Sequence, residues 1–179
     1  MSMLPSDGKA NELAGTYPGD VGNEIHRLAE ALSSSSVLHD AEASIILPDQ
    51  VEALKFQGVS HTHYRLHGIT LCGKKVVARV PRRSEFGHEP NAALEYQSAA
   101  FQRLFPSGHV PELLDSLSPS PLLPRGALLV EEIEGRMARL PDDLPAIAAA
   151  LAAIHRLPLP SPTSRGPLQN PDRPLDAIR

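Results

Sequence analysis

The residue types best suited to chemistry in this sequence are suited to holding phosphate. Gly58 and Ser60 flank a turn. A turn built on glycine and a small hydroxyl residue lets backbone N–H groups close on phosphate oxygens. Further on, Arg79 stands in the β-branched run Val76-Val77-Ala78-Arg79-Val80. Its guanidinium is a planar, permanently charged fork that takes phosphate or carboxylate through two parallel hydrogen bonds. Both features also fit ordinary structure, a plain hairpin turn and a strand arginine facing solvent. His61 and His63, two residues apart, are the right types for a metal pair, but no third ligand stands nearby in the sequence. His155 closes an apolar helical run and reads as a packed or capping residue.

The elements that must position these groups follow from periodicity and breakers. Residues 1–20 are rich in Gly, Pro and small polar types and read as a loose leader. Ile25, Leu28, Ala29 and Leu32 predict a short amphipathic helix over Asn23 to Leu32. Three strand-like runs follow, Leu54 to Val59, Thr62 to His67 and Lys74 to Val80, with turns at Gly58 and at Gly68 to Gly73. A helix is predicted from Asn91 to Phe105, stopped by Pro106 and Gly108. Leu94, Phe101 and Phe105 mark one apolar side of it, and Ala92, Tyr96 and Ala99 a second, so packing on two sides is expected. Val110 to Leu114 and Ala127 to Ile133 complete five strands. After a linker, a strongly apolar helix is predicted from Asp143 to Leu157.

Read in order, these pieces resemble the amino-terminal portion of the aminoglycoside phosphotransferase and choline kinase-like family. The resemblance is carried by Phe56-Gln57-Gly58-Val59-Ser60-His61-Thr62-His63-Tyr64-Arg65-Leu66, Val76-Val77-Ala78-Arg79-Val80-Pro81, Glu95-Tyr96 and Val110-Pro111-Glu112-Leu113-Leu114. It continues in Leu128-Leu129-Val130-Glu131-Glu132-Ile133-Glu134-Gly135 and Leu151-Ala152-Ala153-Ile154-His155, so that it spans about Leu54 to Pro158. It implies an α+β fold: a protein-kinase-like N-terminal lobe, with a five-stranded antiparallel sheet and one inserted helix, then a hinge and the first helix of a truncated second lobe. The implied divisions are a leader with a short helix (1–40), the lobe and hinge strand (41–134), and a linker, helix and proline-rich tail (135–179).

The resemblance also implies roles. Gly58 and Ser60 would cover the phosphates of ATP, though His61 stands where relatives commonly carry Asn. Arg79 would grip the phosphates and be held by Glu95, with Glu89 as the rival carboxylate. The carbonyl of Glu131 and the N–H of Ile133 would bond the adenine edge, with Val59, Ala78 and Val110 as apolar walls. The family's His-Gly-Asp-like catalytic segment, its following Asn and its later metal-binding Asp have no counterpart: His155-Arg156-Leu157 ends in the wrong residue. No catalytic or metal-binding residue is therefore assigned, and the chain alone is expected to be inactive, with Mg²⁺ bound only when a second lobe completes the site. The acceptor is expected to be a small hydroxylated molecule. An exposed helix over residues 143–157 is expected to promote self-association.

Bulk properties exclude other classes. A net charge of −4 gives no basic stripe for nucleic acid, and a single cysteine, Cys72, excludes a disulfide framework. No run approaches the ~18 consecutive apolar residues of a membrane span, and no signal peptide is visible, so a cytoplasmic protein is expected. The alternative to a phosphotransferase is a non-catalytic nucleotide-binding or protein-interaction module.

Overall fold

Alternation along one central strand sorts the molecule into two faces. In the strand β3 (Lys74–Pro81), Val76, Ala78 and Val80 point into one core, while Val77 points into another. Successive side chains of a strand face opposite ways, so a run buried on both sides must be covered on both. The computed structural model describes residues 21–36, 45–54, 60–83, 88–161, 163 and 166–168.

The architecture is α+β. A five-stranded antiparallel sheet comprises β1 (Val51–Ala53), β2 (His61–Leu71), β3, β4 (Leu113–Leu117) and β5 (Ala127–Glu131), in the spatial order β1-β2-β3-β5-β4. Three helices accompany it among the described residues: α1 (Val21–Ser33), α2 (Pro90–Leu104) between β3 and β4, and α3 (Leu144–His155) after β5. No helix among the described residues is long and apolar enough to cross a membrane.

The first face is covered by α1. Leu28, Ala29 and Leu32 bury against Tyr64, Leu66, Val76, Ala78 and Leu129. The helix is tied to the sheet by a polar bond within this apolar setting: the Tyr64 hydroxyl donates to Glu24 Oε2 at 2.6 Å, with the Tyr64 side chain fully buried. Burial and the adjacent Glu24 carboxylate push the Tyr64 phenol well above the usual range, so it stays a donor at any ordinary pH. A hydrogen bond to a charged acceptor contributes about 1.5–3 kcal/mol. Tyr64→Phe is therefore expected to lower the urea midpoint by the equivalent of ~2 kcal/mol without changing the transition slope. An unchanged midpoint would show that the bond contributes nothing.

The second face is covered by α2. Val77, Leu128 and Val130 from the sheet meet Leu94 from the helix, with Phe101 packed beside them. Only Leu94 and Gln97 of α2 become buried, while Ala92 is exposed and Tyr96 half-buried, so one stripe and not two meets the sheet. Pro90 opens α2 and Pro145 lies in the first turn of α3, where the missing N–H has no partner to lose. None of the twelve residues of α3 is buried, and Leu144 and Leu151 are half exposed.

Several boundaries differ from the sequence expectation for local reasons. The strand pairing with β2 at the sheet edge is Val51–Ala53 and not Leu54 to Val59, although Leu54 N still donates to His63 O at 2.9 Å; residues 55–59 lie outside the described residues. β2 runs on to Leu71 through a bulge between Leu66 and Thr70. The turn expected over Gly68 to Gly73 contracts to Cys72-Gly73, both at positive φ (51° and 74°). Two consecutive residues of that kind are what a tight two-residue hairpin requires. The fourth strand starts at Leu113 and not Val110, because Pro111 cannot donate to the ladder. The fifth ends at Glu131, two residues before Ile133.

Candidate functional site

The α2-covered face of the sheet concentrates the polar groups. Facing it from β2 are His61, His63 and Arg65, and from β3 Arg79, with His63 directly opposite Arg79 and Arg65 opposite Val77. Arg79 Nη2 lies 3.2 Å from His61 Nδ1, and its Cζ sits 5.8 Å from the centre of the Phe101 ring. His61 Nε2 in turn lies 3.1 Å from Gln97 Oε1 on α2. His61 is 3 % exposed and Gln97 7 %. The guanidinium can only donate, so His61 Nδ1 must accept and the ring proton must sit on Nε2, donated to Gln97. A run of hydrogen bonds thus joins helix to central strand through a neutral imidazole.

His63 sits beside this run, its ring centre 6.4 Å from that of His61. Burial first, then the charge of Arg79, depress its pKa to about 4. A histidine whose folded pKa lies below its unfolded value binds fewer protons in the folded state. Its contribution is whole above the unfolded pKa of 6.5 and is lost as pH falls through about 4. The ceiling is ~3 kcal/mol, and solvent reaching the half-buried ring cuts it to ~1–2 kcal/mol. We expect His63→Asn to flatten the fall in urea midpoint between these two pH values; an unaltered slope would place the acid sensitivity elsewhere.

The residues singled out from sequence divide. Arg79 is in the middle of the site. Ser60 stands just beyond the end of the β2–β3 ladder, where its carbonyl accepts from Arg82 N at 2.8 Å, while Gly58 and Val59 lie outside the described residues. Glu95 does not join them: it is exposed on α2, and no ion pair links it to Arg79 among the described residues. The reason is helical phase. Glu95 and Gln97 are two residues apart, about 200° around the helix, so burying Gln97 turns Glu95 outward. Ala78 is fully buried in the α1-facing core, so it cannot wall a ligand beside Arg79; Val77 occupies that face. Val110 is half-buried ahead of β4.

Of the residues expected to form the hinge, Glu131 pairs with Val76, so its side chain lies on the α1-covered face, toward the other end of β3 from Arg79. Glu131 N donates to Glu112 O at 2.9 Å and Glu132 N to Lys75 O at 2.8 Å, while the Glu131 carboxylate lies 3.1 Å from Lys74 Nζ. Beyond them the chain leaves the sheet and forms one wall of an open cleft of 640 Å³, lined by Arg65, Gly68, Lys75, Glu132, Ile133 and Gly135 among others. Ile133 is 62 % exposed there. Arg65 lines the cleft, its Nε donating to Glu132 at 2.6 Å and its Nη1 lying 3.2 Å from Glu52. Arg79 does not line this cleft. The sequence pattern brought out Arg79 but missed Gln97, whose only signal was a polar residue on the Leu94–Phe101 stripe.

No three His, Cys, Asp or Glu side chains come together as a metal-binding set among the described residues. What the arrangement can do chemically is present a held guanidinium, flanked by two imidazoles, on the central strand of the sheet. Comparison with protein-family models, with curated proteins and with solved structures finds no match to this chain.

Proposed function

We propose that this chain is the nucleotide-binding part of an ATP-dependent phosphotransferase that moves a phosphoryl group to a hydroxyl of a small molecule, on a protein-kinase-like N-terminal lobe. One observation carries the reading. Three antiparallel strands, a helix, two further strands, an extended segment and a helix follow one another as the resemblance leads one to expect, and Arg79 lies on the helix-covered face of the central strand. In this reading Arg79 binds the terminal phosphates, Ser60 helps to cover them, and the segment from Glu131 to Ile133 meets adenine.

Phosphoryl transfer asks the protein for positioning and for charge placed where the equatorial oxygens gather it. A guanidinium fixed by a buried relay supplies such charge without reorganisation. Mg²⁺, which would neutralise the phosphates, has no fitting donor set among the described residues, and no step is assigned to it.

The test is calorimetric titration of the chain with ATP, ADP and AMP. Affinity that grows with the number of phosphates supports the reading. Equal affinity for the three nucleotides, or none for any, removes it. Self-association through α3 belongs to the same proposal, because Leu144 and Leu151 are exposed by 50 % and 51 %. Sedimentation over a hundred-fold dilution range (about two decades) should show a mass that falls with dilution; Leu151→Glu should abolish that dependence.

A further inference from the structure

We propose that Gln97 and His61 are the positioning residues for Arg79, holding its guanidinium through a relay that works only with a neutral His61. The inference rests on the phosphate-binding reading of Arg79 and departs from the Arg79–Glu95 pair expected from sequence. Glu95 is exposed and turned from the sheet, whereas Gln97 is buried and His61 Nε2 lies 3.1 Å from its Oε1. His61 Nδ1 lies 3.2 Å from Arg79 Nη2.

The relay has a direction. An arginine N–H never accepts, so each hydrogen bond in the run is fixed: Arg79 donates to Nδ1, and Nε2–H donates to Gln97. A buried glutamine suits this place better than a carboxylate. An amide oxygen takes the Nε2 proton without attracting a second proton to the ring. A carboxylate there would favour the imidazolium, whose Nδ1–H would then oppose the Arg79 N–H donors. Among the described residues, the titratable or charged groups facing His61 are Arg79 on β3 and His63 on β2; α2 presents the uncharged Gln97, with Glu95 turned out.

The experiment compares wild type, His61→Gln, His61→Leu and Gln97→Glu by two readouts. The first is long-range ¹H–¹⁵N NMR of the histidine rings together with the arginine side-chain resonances. Wild type should show His61 protonated at Nε2 alone and a slowly rotating Arg79 guanidinium, which becomes freely rotating in His61→Leu. The second is ATP affinity. His61→Leu should lose about 5–10-fold, less than the full worth of a hydrogen bond to a charged group because the guanidinium charge stays, and His61→Gln, which offers one acceptor and one donor, should restore most of it. Between pH 8.5 and pH 6, Gln97→Glu should lose about 5-fold more ATP affinity than wild type loses through protonation of the terminal phosphate. A side chain that merely filled space would give no such pH dependence and no rescue by glutamine.

A proton on Nδ1 of His61, or Arg79 resonances unchanged in His61→Leu, overturns the proposal whatever the nucleotide does. Failure of wild type to bind ATP is a different result: it removes the phosphate reading, and the NMR readout then judges alone whether Gln97 and His61 hold Arg79.

Discussion

Gly126→Ala is expected to destabilise the fold by about 2–5 kcal/mol, enough to unfold a marginal domain. Two penalties combine at this position. Gly126 has φ +67°, a left-handed conformation that costs an alanine ~1 kcal/mol or more. A Cβ built there would also overlap the carbonyl oxygen of Leu117 and stand 3.2 Å from both Leu94 Cδ2 and Pro119 N. Neither backbone contact can yield cheaply. Leu117 is the β4 partner of Ala127, so moving its carbonyl breaks the register at the end of the β4–β5 ladder, and Leu94 is the residue by which α2 meets the sheet. The site and the core would thus loosen together. Thermal unfolding followed by circular dichroism checks this, with Gly73→Ala as control: Gly73 shares a positive φ (74°) but has nothing within 4 Å of a built Cβ. Its loss should be ~1 kcal/mol, and equal losses for the two variants would mean that the close approach at Gly126 contributes nothing.

Arg79→Met should weaken ATP binding by about 10–100-fold while leaving AMP binding and the fold almost untouched. Methionine keeps an unbranched stem over Phe101 and removes the charge, so the folded state gives up a cation–π contact of about 0.5–1 kcal/mol and the bond to His61. The loss should fall on the terminal phosphates because those are the groups a guanidinium grips. Arg79→Lys should recover part of the affinity, since an ammonium restores charge but not the two-pronged fork. Raising salt should weaken wild-type binding more than that of Arg79→Met, as screening acts on the charge the variant lacks. An ATP affinity unchanged in Arg79→Met would remove Arg79 from the site and leave the proposed nucleotide binding without its principal contact.

Much of the scaffold was legible because it rests on short-range rules. β3 and the core of β5 follow from runs of Val and Leu, and α1 from the spacing of Leu28 and Leu32. Errors gathered at strand ends. Alternation marks a strand but does not say where pairing starts, and pairing is decided by the neighbour. β1 is short because its ladder with β2 runs from Val51↔Leu66 to Ala53↔Tyr64, a register no local pattern of Leu54 to Val59 reveals. The Cys72-Gly73 turn was hidden because cysteine is an uncommon residue at positive φ.

For the site the division is sharper. By itself the sequence determined that Arg79 would stand in a strand between apolar residues, since composition and alternation suffice for that. It also determined that a helix would follow and that a buried strand would start at Ala127, whereas the end expected at Ile133 falls at Glu131. Only the tertiary structure decided which helix residue would reach Arg79. His61 and Gln97 lie 36 positions apart, and Arg79 and His61 18 apart. Their meeting depends on the rotation of α2 about its axis, set by Leu94 seating against Val77, Leu128 and Val130. The family resemblance made Glu95 the expected partner for the cation, with Glu89 as its rival. Packing gave priority to the apolar stripe, and the stripe carried Gln97 inward and Glu95 out, because a helix buried along one stripe has no freedom left to present a residue two positions away.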